Sequence, residues 1–361
     1  MTKNITIRRL VGILSILLIF AGFTAPTVFG DFYRWKDDSG NWHYSDQPPE
    51  EAQQDSWWDE QGDVIRTTRP SSENFPREDN ESPDRQKRPD TDGMLWKIEA
   101  SGVAPNYIVG TIHSEDPRVL DFSPALVRAF KGADVFIMEA DIGMDDFFQM
   151  SSSMMFTDGR TLKSVLGEKL YGRTADALLE YGLPEMAVNQ LKPWAAYTVL
   201  SVPKPKTGQF MDLVMLKRAK NQDKKVVGLE TAGEQLAIFE EMPINDQVAL
   251  LKDTLDHLPQ IPQMLEQLVS TYAAGDLEKV AQLGQEFMRS GSVSGKSAAE
   301  RLLKRANDDR NIKMVDRMLP YLLEGDAFIA VGALHLPGEK GILKQLRQRG
   351  FKVAPVKPYP G

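Results

Sequence analysis

The chain of 361 residues contains no cysteine. That absence excludes disulfides, a thiol nucleophile, a thiolate-bound zinc site and a lipidated N-terminal cysteine. Stability must then rest on the packed core. A basic surplus is also missing: 43 Lys and Arg stand against 51 Asp and Glu, a net charge of −8. Nucleic-acid binding needs a basic face, so this balance argues against such a partner. Histidine is scarce, with four copies. Long apolar runs are scarcer still, and the longest, Leu10 to Phe20, lies near the N-terminus.

That run reads as part of an export leader over residues 1–30. Lys3, Arg8 and Arg9 precede it. Ala21 to Gly30 follows with small and turn-forming residues, and Val28 and Gly30 suit the −3 and −1 positions of a cleavage site. The alternative is an uncleaved inner-membrane anchor, since Leu10 to Phe29 is about long enough to span a bilayer. The expected location is the periplasm or the cell exterior, with envelope association possible.

Residues 31–59 read as a small β unit. Two alternating aromatic stretches, Phe32 to Lys36 and Asn41 to Ser45, flank the turn Asp37-Asp38-Ser39-Gly40, a hairpin signature. The pattern resembles a short N-terminal domain of unknown function found at the head of many Gram-negative envelope proteins. Residues 60–93, rich in Ser, Pro, Asn and mixed charge, predict a disordered linker. From residue 94 to 361 the pattern is α/β (or α+β), a central sheet with a mostly helical insertion over about 244–322. Ser123-Pro124 marks a helix start.

Two stretches of this large domain rhyme. Tyr107-Ile108-Val109-Gly110-Thr111-Ile112-His113 and Ile329-Ala330-Val331-Gly332-Ala333-Leu334-His335 are apolar strands ending in Gly-x-x-His. Two further apolar strands end in glutamate, at Glu139 and Glu230. Ligands bind outside the carboxyl ends of parallel strands, so parallel pairing would gather all four side chains at one edge. Two imidazoles and two carboxylates suit a divalent metal such as zinc, manganese or cobalt. A glutamate outside the metal shell suits a general base, Glu230 in preference. The two glycines are expected at sharp turns with positive φ. Arg310-Asn311, just before the last Gly-x-x-His strand, suits an oxyanion or a partner carboxylate, although a lone arginine is more often a surface charge.

These pieces, with Leu95-Trp96-Lys97-Ile98, Lys192-Pro193-Trp194, Gly228-Leu229-Glu230-Thr231 and the later Gln235, and Tyr272…Gly275-Asp276, resemble the TraB/GumN superfamily, including its Tiki-type proteases and pheromone-shutdown relatives. The resemblance spans about residues 94–358. It implies a fold related to erythromycin-esterase-like and ChaN-like proteins. It implies a site of His113, Glu139, Glu230 and His335 supported by Arg310 and Asn311. In the Tiki branch it implies metal-dependent peptide cleavage. The family's Gly-x-Asp segment is altered here to Gly208-Gln209-Phe210-Met211-Asp212, which puts a role for Asp212 in doubt.

The resulting expectation is an exported metal-dependent hydrolase, a peptidase acting on a peptide or protein, with the metal on His113, His335 and one glutamate. The rival expectation is a non-catalytic peptide- or haem-binding protein with histidine as axial ligand. A metal-free His/Glu hydrolase is a third.

Overall fold

A computed structural model describes residues 33–36, 42–45, 92–204, 206–289 and 292–356. The chain divides into two compact units, one of residues 25–87 and one holding residues 88–361. The expected leader, and residues 60–91 of the expected linker, lie outside the described residues.

In the smaller unit, β1 (Tyr33–Lys36) and β2 (Trp42–Ser45) form an antiparallel hairpin with Trp35 opposite His43. The expected turn residues between the two strands lie outside the described residues.

The larger unit is a mixed α/β domain with a six-stranded sheet. Its strands are β3 (Asp92–Glu99), β4 (Asn106–Thr111), β5 (Val135–Met138), β6 (Lys225–Gly228), β7 (Ala327–Gly332) and β8 (Lys352–Val356). Their order across the sheet is β6-β5-β7-β4-β3-β8. The four strands β6, β5, β7 and β4 run parallel, and β3 is antiparallel to both β4 and β8. β3 takes in Asp92 and Gly93, the last two positions of the expected linker.

Sequence chemistry accounts for these positions. β7 is the central parallel strand, buried along its whole length, and it is correspondingly apolar on both faces. β6 lies at the sheet edge, where Lys225 is exposed. The helix Pro124–Gly132 starts as expected, with the Ser123 side chain accepting the Leu126 N–H and proline in the first turn. β4 and β5 are consecutive in the sheet-forming chain yet leave a gap between them, which β7 fills from nearly 190 residues later.

Two apolar cores result. The first packs the sheet against helices that include Pro124–Gly132, Met211–Asn221, Ile261–Ala273 and Asp309–Glu324. The second is mostly helical, built on Leu162, Trp194, Phe239, Leu251 and Leu302. The region expected as a helical insertion feeds both: Ile261, Met264 and Leu268 enter the first, Leu250, Leu251 and Leu302 the second. Glu230 lies between Leu229 of the first core and Ala232 of the second; Arg310 lies between Ala306 of the second and Met314 of the first. Glu230 and Arg310 therefore sit on the seam where the cores meet.

Candidate active site

The strand order sets Glu230, Glu139, His335 and His113 along one edge, each just past the carboxyl end of a parallel strand. β4 and β7 are neighbours, with Gly110 opposite Val331 and Thr111 opposite Gly332. The two Gly-x-x-His frames thus run side by side, one residue out of step. The glycines do not act as expected. Neither is among the positive-φ residues, and Gly332 has φ −53. Gly110 is instead a point of close approach: a Cβ there would stand 2.9 Å from Ala333 Cα and 3.0 Å from Leu336 Cδ1. The first frame leans on the second through that missing side chain.

Arg310 occupies the middle of the edge. It follows a π-helical turn, Lys304–Asp308, a local widening that proteins often place at functional positions. Its Nε donates to both Glu230 oxygens at 3.0 and 2.9 Å. Its Nη2 donates to Glu230 Oε2 at 2.6 Å and to Glu139 Oε2 at 2.5 Å. Its Nη1 donates to Ala306 O and faces His335 Nε2 at 3.3 Å. Burial opposes its charge, but the two carboxylates more than offset this, and its pKa lies above the ordinary arginine value. Glu139 spends its other oxygen on the Gly332 N–H, 2.7 Å away. The carboxylate ending β5 thereby fixes the turn ending β7.

His335 is fully buried, and its pKa is pushed well below the usual imidazole value, first by burial and then by the Arg310 charge. Its tautomer follows from its neighbours. Asn311 donates Nδ2 to Lys340 O, so its Oδ1 is the atom 2.6 Å from His335 Nδ1. The proton is therefore on Nδ1, and Nε2 presents its lone pair to Arg310.

His113 has a different partner, Asp212. That aspartate sits in the first turn of the helix Met211–Asn221 and accepts the Thr111 hydroxyl on Oδ1 at 2.6 Å. Its Oδ2 lies 3.3 Å from His113 Nδ1 without hydrogen-bond alignment. Both His113 ring nitrogens and Asp212 Oδ2 are buried and have no hydrogen-bond partner. The Phe210 ring lies 6.1 Å from the imidazole. Tyr272 donates its hydroxyl to Gly110 O at 2.7 Å, tying the helix Ile261–Ala273 to the end of β4. Sequence reasoning left the role of Asp212 in doubt and gave Tyr272 no part in the site. Spacing carried a signal for Asp212: positions 212, 215 and 219 share one helical face, and Met215 and Ala219 are buried.

The TraB/PrgY/gumN family profile matches residues 94–355, nearly the whole extent of this sheet and its edge. The chain belongs to that family. Residues 19–88 match a domain of unknown function, DUF4124, in agreement with the resemblance read at the N-terminus. Among TraB/PrgY/gumN relatives, the uncharacterized protein YbaP of Escherichia coli (strain K12) is 25% identical over 248 residues, covering 67% of this chain and 87% of its own. Metalloprotease TIKI1 of Danio rerio is 23% identical over 313 residues, covering 73% of this chain and 63% of its own. Metalloprotease TIKI1 of Homo sapiens is 24% identical over 322 residues, with 74% and 63% covered. No solved structure matches at comparable significance.

The name of the TIKI relatives raises the question of a metal, and the donor set can be tested for one. Among the described residues no group of three or more His, Asp or Glu side chains is spaced to hold an ion. Glu139 and Glu230 are taken up by Arg310, and His335 Nε2 faces the same guanidinium, so the expected set of His113, His335 and a glutamate does not fit this arrangement. The His113–Asp212 pair does fit as two ligands. Its donor atoms are unpaired, and their 3.3 Å separation is that of two ligands about 2.0–2.1 Å from one tetrahedral ion. Three carboxyl groups, Glu139, Glu230 and Asp212, share this edge with one guanidinium, that of Arg310. Among the described residues no helix is long and apolar enough to cross a membrane.

Proposed function

We propose that the chain is a hydrolase that cleaves peptide bonds at the His113–Asp212 end of this edge. The observation that carries the reading is the pair itself, two buried side chains whose facing atoms, 3.3 Å apart, have no hydrogen-bond partner. Buried polar groups are almost always paired, and each unpaired one costs about 1–3 kcal/mol. Binding sites are where such a cost is met by a ligand. The TIKI relatives, named as metalloproteases, support the reaction class.

His113 and Asp212 would hold the metal, one of zinc, manganese or cobalt. When bound, a divalent metal supplies Lewis-acid polarisation of the scissile carbonyl and acidifies a water. The chain's own residues do the rest. Thr111 fixes the Asp212 carboxylate through Oδ1 and leaves Oδ2 toward His113. His113 Nε2, which has no hydrogen-bond partner of its own, is placed to bind a water. Arg310 neutralises part of the buried charge and locks Glu139 and Glu230. A general-base role for Glu230 is not favoured, because both its oxygens already accept from Arg310. Asn311 holds His335 in one tautomer, and Glu139 holds the Gly332 turn. Haem ligation by His335 is disfavoured for a related reason: its free nitrogen points at a guanidinium in a closed interior.

In the same reading the first 30 residues direct export, the hairpin unit stands ahead of a linker, and residues 94–361 carry the activity. The test is cleavage of a quenched peptide library by the purified mature protein, with and without chelator. Cleavage should fall in His113→Ala and Asp212→Asn. Undiminished cleavage in both variants would sink the proposal.

A further inference from the structure

Glu115 comes two residues after His113, and its side chain grips a distant segment. One oxygen accepts the N–H groups of Lys206 at 2.8 Å and Thr207 at 3.2 Å. The other accepts those of Thr207 at 3.1 Å and Gly208 at 2.5 Å. Three successive backbone donors converge on one carboxylate, a charge-assisted arrangement stronger than neutral hydrogen bonds. Gly208 has φ +72, in the left-handed region that glycine enters without strain.

What this grip does follows from where the segment leads. Two residues past Gly208 comes Phe210, whose ring lies beside His113; then Met211, whose Sδ lies 3.1 Å from the Tyr272 hydroxyl oxygen; then Asp212. The end of β4 and the stretch leading into the helix Met211–Asn221 are therefore joined on both sides of the pair, by the Glu115 clamp on residues 206–208 and by the Thr111 hydroxyl on Asp212 Oδ1, with His113 and Asp212 facing each other between them. Lys206 and Thr207 are exposed, so apolar burial does not hold their stretch in place. The Glu115 carboxylate does.

We propose that Glu115 is a positioning residue for His113 and Asp212, setting their separation through its clamp on residues 206–208. This rests on the functional reading above for its catalytic consequence, but not for its geometry. A clamp that merely tidied a surface loop would leave His113 untouched when removed. A positioning clamp would not, because the Glu115 contact and the catalytic pair share the same two chain segments.

Ring-labelled histidine makes the difference visible, since the chain has only four histidines and the His113 signal is the one missing in His113→Ala. In the mature wild-type protein the His113 ring should show a nuclear Overhauser contact to Phe210. In Glu115→Ala the His113 signals should move and that contact should vanish. Peptide cleavage should lose roughly ten- to a hundredfold in kcat with KM little changed, the scale of a misplacement near 1 Å. Glu115→Gln keeps one carbonyl oxygen toward the N–H groups and should fall between. It also serves as the reading if Glu115→Ala fails to fold, where an unmoved His113 ring overturns the proposal. Unmoved His113 signals with the Phe210 contact intact in Glu115→Ala overturn it too, whatever the rate does. Displaced His113 signals in a protein whose wild type cleaves nothing would keep the positioning role and discard the peptidase.

Discussion

Arg310 holds Glu139 and Glu230 with one nitrogen: Nη2 lies 2.5 Å from the first carboxylate and 2.6 Å from the second. A single cation thus joins the ends of β5 and β6, and through Glu139 it reaches the turn ending β7. Buried pairs of this kind are weak evidence for net stability, because desolvation costs about as much as attraction returns. Removing one partner is another matter, since it strands the others.

Arg310→Met should leave two carboxylates buried without a cation and destabilise the domain by about 3–5 kcal/mol. The expected drop in Tm is roughly 10 °C for a domain of this size. Arg310→Lys keeps the charge but loses the fork, and should recover only part. Thermal unfolding followed by circular dichroism checks both. A Tm unchanged in Arg310→Met would mean that the carboxylates are not held as described.

His335 predicts an acid-side loss of stability. Its folded pKa is depressed far below 6.5 by burial, then by Arg310. Below pH 6.5 the unfolded chain binds a proton there that the folded chain refuses. The contribution is therefore fully present above 6.5 and falls by about 1.4 kcal/mol for each pH unit below it. Urea unfolding at pH 7 and pH 5.5, in wild type and His335→Gln, isolates this slope. The variant should lack it; equal slopes in both would show that His335 takes up a proton in the fold.

Asp212→Asn should lower peptide cleavage by at least about a hundredfold, in the range of a lost acid–base or orienting group. Metal content measured by elemental analysis should fall together with it, and with His113→Ala. Thr111→Val removes only the hydroxyl on Asp212 Oδ1 and should cost less, on the order of tenfold. Full metal content in both His113→Ala and Asp212→Asn would place the ion elsewhere.

Gly110→Ala adds a methyl 2.9 Å from the Ala333 backbone. Neither turn has room to yield cheaply, so overpacking should cost about 1–3 kcal/mol. Because the methyl pushes on the second Gly-x-x-His turn, the His335 ring signals should shift as well. A silent substitution would show that the two turns do not lean on each other.

Much of this edge was legible from residues alone. The four polar strand ends stood out because apolar runs stop abruptly at them, and the Ser123-Pro124 cap has local chemistry. Parallel pairing then gathered them. What local chemistry could not give was the partner of each group. Arg310 sits in a charged stretch, Asp308 to Lys313, and by itself reads as a surface residue. Its phase says otherwise: Arg310, Met314, Met318 and Leu322 fall on one buried face of the helix Asp309–Glu324, while Ile312 is half exposed. The glycines misled for the reverse reason. Glycine in a turn suggests a special φ, but Gly110 is needed for what lies across from it, which only the register of β4 against β7 reveals.

The place of β7 has a temporal consequence. A ribosome releases β4 and β5 long before it reaches residue 327, and until then the central slot of the sheet stands empty. Arg310, Asn311 and His335 belong to that same late stretch. A nascent or prematurely terminated chain consequently holds His113 and both glutamates without the cation that binds them or the strand that aligns them. Pairings so far apart in sequence also form slowly. In this order Glu139 and Glu230 gain their shared cation, and β4 and β5 their common neighbour, only after residues 310 and 327 have been made.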